Sequence, residues 1–140
     1  MAAVPPDPVA ALIAWLSARP ELTGIPIGAA PPELLGTDVP RAITVQPVAS
    51  PADAPAWGGP VFLYRPRLDI DGYAPSSTEA YDLVNTAFGL LPQACGHSSE
   101  HGRIGQVLVP STPDFRPNFT DVTFRWGGTC GLTMRPAYSA

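Results

Sequence analysis

The run Cys95-Gly96-His97-Ser98-Ser99-Glu100-His101 holds both histidines of the chain beside a thiol and a carboxylate, the side chains that bind metal. It contains H-x-x-E-H, the spacing of inverted zinc peptidases, in which a helix presents two imidazoles to the metal and aims a carboxylate at its bound water. That chemistry needs a helix. Here Gly96 and Gly102 flank the segment and no apolar residue lies inside it. A structural zinc site from Cys95, His97, His101 and Cys130 is the milder alternative, because thiolate and imidazole ligands suit zinc. The plainest reading is a polar surface loop holding both histidines, with no metal or cofactor.

A second constellation is Arg65, Arg67, Asp69 and Asp71, alternating along one segment. Paired carboxylates can do acid–base work, but a catalytic pair needs a pocket and a shifted pKa. Nothing local indicates either, so cross-strand or intersubunit ion pairs are the simpler use. Ser111 and Asp114 lie close together, yet no G-x-S-x-G elbow exists, and no glycine-rich phosphate loop precedes a helix. Asn118-Phe119-Thr120 matches a glycosylation acceptor, which carries no weight without a secretory signal.

The elements that position these residues centre on Val61 to Leu91. Phe62, Tyr64, Leu68 and Ile70 alternate with the four charged residues, the period of a strand with one buried and one wet face. Gly72 is read as its break. Ser76-Ser77-Thr78-Glu79 is a capping box, with the Ser76 hydroxyl accepting from the Glu79 N–H and the Glu79 carboxylate reaching the Ser76 N–H. Ala80, Val84, Ala87, Phe88 and Leu91 follow at helical spacing before Pro92.

Upstream, Asp7 is an N-cap and Pro8 a first helical residue. Val9, Leu12, Ile13 and Leu16 form one apolar stripe, and Arg19-Pro20 end the helix. Trp15 lies off the stripe centre, at a core edge or a partner contact. Residues 41–48 and 104–109 read as strands. So do 120–126 and 129–135, separated by Gly127-Gly128 as a turn or bulge. Residues 21–40, 50–60 and 111–118 read as long shaped loops, apart from a short strand near Ile25 to Ile27, and 136–140 as a loose tail. Trp126 reads as core. Trp57, between Pro and Gly residues, reads as a partner-contact residue, since an exposed Trp suits an interface anchor. The sum is one α+β domain over residues 1–140, a mainly antiparallel sheet of four to five strands with two helices on one face. The other face carries Arg65, Arg67, Asp69, Asp71, Thr123, Arg125 and Thr133, either solvated or paired with a neighbouring subunit.

Composition bounds the rest. Hydrophobic residues make up 45% of 140 and charged ones 14%, enough for a core and unlike a disordered chain. The net charge of −4 argues against a general nucleic-acid binder. All eight basic residues are Arg, the mark of a GC-rich coding bias. Two cysteines make no disulfide framework. No secretory signal is read and no run is long enough to cross a membrane, so a soluble protein made in a reducing cytoplasm is expected.

The layout resembles the tail terminator (tail completion) proteins of long-tailed bacteriophages. The carrying features are the helix Asp7 to Arg19, the strand Arg41-Ala42-Ile43-Thr44-Val45, and the run Arg67-Leu68-Asp69-Ile70-Asp71-Gly72-Tyr73. Glu79-Ala80, a late Pro113-Asp114 loop and closing strands with Arg125-Trp126 complete it. The resemblance implies a non-enzymatic virion protein, assembled in the bacterial host cytoplasm. It implies a hexameric ring that caps the tail tube, ends tube polymerisation and meets the head-tail connector. DNA would pass through the lumen without specific binding, as suits a mildly acidic chain. Arg65, Arg67, Asp69 and Asp71 are then the expected intersubunit residues. The alternatives are a head-closure or neck connector protein and, more remotely, a small zinc-binding module.

Overall fold

Two capped helices and a long central strand set the architecture. The computed structural model describes residues 3–4, 6–30, 41–48, 64–108, 113–120 and 123–138. Asp7 caps the first helix, α1 (Pro8–Ser17). Its Oδ1 accepts from the Ala10 N–H at 3.0 Å, and Pro8 takes the first position, where a missing N–H is no loss. Leu12 and Leu16 are fully buried. Val9 and Ile13 are only partly so, because the buried stripe is turned toward Ala11 and Trp15. Trp15 thus closes the core edge. Arg19 secures the helix end: its Nε donates to the Trp15 carbonyl at 3.1 Å, and its guanidinium lies 4.4 Å from the Trp15 ring centroid.

The second helix, α2 (Ser77–Leu90), starts at the capping box with one change of partner. Ser76 Oγ accepts from the Glu79 N–H at 3.2 Å. The Glu79 carboxylate accepts from the Ser76 hydroxyl at 2.9 Å, where the motif suggests the Ser76 N–H. Ala80, Val84, Ala87 and Phe88 are buried as their spacing predicts, joined by Leu83 and Leu90. Pro92 lies in the 3-10 turn Leu91–Ala94 that follows.

The fold is α+β and mainly antiparallel, with more strands than the four to five expected. Among the described residues they are β1 (Ala3–Val4), β2 (Ile27–Gly28), β3 (Ala42–Pro47), β4 (Arg67–Ala74), β5 (Ser98–Ser99), β6 (Gly102–Leu108), β7 (Asp114–Thr120), β8 (Thr123–Arg135) and β9 (Ala137–Tyr138). Seven form one sheet in the order β2-β3-β4-β8-β6-β5, with β7 also on β8. β2 runs parallel to β3 and every other pairing is antiparallel. The 13-residue β8 is the spine. β4 pairs with it along one side; on the other side β7 covers its first half and β6 its second. Leu68 and Ile70 of β4 and Cys130, Leu132 and Met134 of β8 join both helices in one core.

Three expectations change. First, Gly127-Gly128 neither turns nor ends a strand. Gly127 faces away from the helices, where a Cβ would overlap the Asp71 carboxylate. Gly128 faces them, where a Cβ would sit 2.8 Å from Phe88 Cζ. Each glycine makes room for a bulky group on its own side, so the strand runs straight through. Second, residues 114–118 are not loop but the body of β7. Pro117 is tolerated there because β7 is paired on one side only among the described residues, and its register to β8 shifts just past Arg116. Third, the tail is not loose throughout: Ala137 and Tyr138 pair with Val4 and Ala3, so the two chain ends satisfy one another's backbone groups. Gly72, read as a break, lies within β4.

Candidate functional site

Strand alternation brings the charged residues together on the sheet face opposite the helices. In register across it lie Thr44, Asp71 and Gly127, then Gln46, Asp69 and Thr129, with Arg116 of β7 opposite Arg125 of β8. Arg116 donates to both Asp69 oxygens, at 3.3 and 3.5 Å, and the Thr129 hydroxyl donates to Asp69 Oδ1 at 2.7 Å. Arg125 Nη2 lies 3.3 Å from Asp71 Oδ2, and Arg116 Nη1 lies 3.8 Å from Asp71 Oδ1. Asp71 is 2% exposed. Its Oδ1 and Arg125 Nε have no hydrogen-bond partner among the described residues.

The two carboxylates are driven apart electrostatically. Burial pushes the Asp71 pKa up, and the charge of Asp69 adds to this. Arg125 and Arg116 offset it only in part. Burial also works against ionised Asp69, but the hydrogen bonds from Thr129 and Arg116 and the two guanidinium charges outweigh it and hold its pKa low. The same carboxylates raise the Arg116 pKa despite its burial. Burial lifts the Tyr73 phenol. This half of the face is an internally bonded plate that ties β4 to β7 and β8. With Asp71 sealed from solvent, no substrate atom reaches its carboxylate in this conformation.

The other half is different. β8 continues past Gly131 through Thr133 to Arg135, and Arg103 of β6 stands directly opposite Arg135. Arg67 is opposite Gly131. Tyr64 pairs with Met134, which places Arg65 beside Thr133. Arg65, Arg67, Arg103 and Arg135 are all exposed, and among the described residues none has a carboxylate within ion-pair distance. Leu108, 57% exposed, lies on the same face opposite Gly131.

The four residues singled out by the sequence therefore split. Asp69 and Asp71, expected as intersubunit residues, are bonded within the chain instead, and Asp71 is buried. Arg65 and Arg67 remain exposed. Arg103 and Arg135 were missed, although the alternation that places Thr133 on this face also places Arg135 there. Trp57 lies outside the described residues. Trp126 is half-buried: its Nε1 donates to Ser77 Oγ at 2.9 Å, and Tyr81 and Phe115 meet its ring edge-on at 4.9 and 5.6 Å.

The histidine run is a tight hairpin between β5 and β6, with Gly102 at φ 117°. Ser99 Oγ accepts from the His101 N–H at 3.1 Å, and His101 Nε2 lies 3.5 Å from Glu100. Cys130 points into the core, and burial pushes its thiol up to about 12, while Cys95 is exposed. Among the described residues no three His, Cys, Asp or Glu side chains gather to hold a metal. No helix among them is long and apolar enough to cross a membrane.

No protein-family model matches the chain, and no curated protein matches it significantly. The architecture is what the structure itself supplies. It is an α+β domain with helices on one sheet face and, on the other, a plate of charge that is half neutralised internally and half left open.

Proposed function

We propose that this chain is a structural virion protein: a subunit of a hexameric ring that caps a phage tail tube, ends its polymerisation and joins it to the head connector. One observation carries the reading. The open face of the sheet devotes its buried carboxylate to rigidity and leaves four guanidiniums and Leu108 exposed. An apolar contact set among charged groups on a rigid sheet is equipment for assembly. A ring subunit needs two different, complementary lateral surfaces, which a single rigid domain of this kind can offer. The order of elements in the sequence points to the same family. No turnover is involved in this function, and DNA passes the lumen without specific contacts.

The test adds the purified chain to polymerising tail tube protein and measures tube lengths by electron microscopy. Substoichiometric chain should shorten the tubes and decorate one end. Unchanged lengths with bare ends would refute the reading.

A further inference from the structure

We infer that the arginine patch docks against the acidic side of α2 in a second copy of this chain, joining subunits head to tail. This rests on the ring reading above and names the two surfaces the ring would use.

The patch holds unbalanced charge that the fold could have neutralised. Six arginines lie on the open face, and the chain supplies carboxylates to Arg116 and Arg125 but to none of the other four among the described residues. Arg103 and Arg135 stand directly opposite each other. Like charges in that position destabilise a sheet. Among the described residues no carboxylate relieves them, and a chain of net charge −4 offers carboxylates on a second copy. The floor between the guanidiniums is low, made by Gly105, Gly131 and Thr133. Register puts Leu108 at one end of the patch, in line with Gly131 and Arg67, as an apolar contact beside the charge.

The complement is on the same molecule. An open groove of about 260 Å³ lies between the 3-10 turn Pro20–Leu22 and α2. Among the described residues its charged lining is Glu21, Glu79 and Asp82, with Arg41 as the cation. The three carboxylates leave it net negative. Glu79 and Asp82 stand in the first turns of α2, which follows the C-terminal end of β4 on the helix face. Arg65 and Arg67 stand at the N-terminal end of β4 on the opposite face. Opposite faces and opposite ends cannot meet within one molecule. Between copies they meet head to tail, and a heterologous contact repeated through a closing rotation makes a ring. Opposite charge on the two surfaces also steers encounter and sets register.

The test is a charge swap, read by mass photometry and by decoration of tube ends. One variant carries Arg67→Glu and Arg135→Glu; the other carries Glu21→Arg and Asp82→Arg. All four positions are exposed, and circular dichroism with a thermal melt confirms folding; Arg67→Gln with Arg135→Gln serves as the milder patch variant. Each reversed variant alone should need at least ten-fold more protein for half-assembly. Their equimolar mixture should recover assembly near the wild-type concentration, because every contact in an alternating ring then pairs opposite charges. Folded variants that each assemble like the wild type would overturn the inference while leaving the ring reading intact. A folded mixture that stays dissociated would overturn it too. Loss of double-stranded DNA retention by the patch variant with assembly unchanged would reassign the patch to a nucleic-acid backbone. A wild-type chain that never self-associates, with or without tubes, would overturn both readings.

Discussion

Adding one methyl group at Gly127 should cost the protein a large part of its stability, and the reason is specific. The Cβ of an alanine there would occupy the position of the Asp71 carboxylate. To make room, Asp71 must leave Arg125 and Arg116, which lie 3.3 and 3.8 Å from it. Breaking a buried ion pair costs about 3–5 kcal/mol, and the low end applies because burial already works against ionised Asp71. Replacing a strand glycine returns roughly 0.5–1 kcal/mol of backbone entropy. The net expectation for Gly127→Ala is a loss of about 2 kcal/mol, read as a lower urea midpoint at pH 7 with the m-value unchanged. Overpacking by Gly128→Ala against Phe88 should cost about 1–3 kcal/mol. The decisive result is the pattern of coupling. Gly127→Ala should be largely relieved in an Asp71→Ala background and unaffected by Phe88→Leu. Gly128→Ala should show the reverse. A neutral Gly127→Ala, or coupling that crosses between the pairs, would refute the straight β8 and the packing on its two faces.

The two carboxylates of the plate should act on stability in opposite pH windows. Asp69, with its pKa lowered in the fold, stabilises above its unfolded value of 3.8, and that contribution is lost as pH falls below it. Asp71, with its pKa raised, does the opposite: its contribution is present below 3.8 and is lost as pH rises above it. Denaturation followed from pH 2 to 7 should show Asp69→Asn flattening the acid limb and Asp71→Asn flattening the range just above 3.8. Identical profiles for the two variants would contradict the assignment. Asp7→Ala should lower stability by about 1 kcal/mol through loss of the α1 cap, measured by thermal melting. A thiol reagent at pH 8 should label Cys95 alone in the folded chain and both cysteines in denaturant, since Cys130 is buried with its pKa pushed to about 12.

Local chemistry made the helices legible. Asp7-Pro8 and Ser76 to Glu79 are start signals that act within one turn, and the apolar spacing after each is read without tertiary knowledge. The β4 alternation is legible for the same reason, as is the α+β class. The failures share a cause. Asp71 has the composition of a wet-face residue, and its burial depends on Arg116 and Arg125 arriving from distant strands; Asp69 meets Arg116 from 47 positions away. Pro117 and Asn118, with Pro113 just before, give β7 the composition of a loop, yet it is a strand that only its pairing with β8 reveals. Gly127-Gly128 resembles a turn because the two groups that require bare backbone, Asp71 and Phe88, lie on other elements. Arg103 and Arg135 form a pair only through register, which no window along the chain contains.

The most direct measurement is mass photometry of the purified chain, alone and with tail tube protein, at low and high salt. A species of six chains, or chain bound at tube ends with growth halted, is expected, weakened as salt screens the arginine patch. A strict monomer that ignores tubes at every salt concentration would contradict the ring reading.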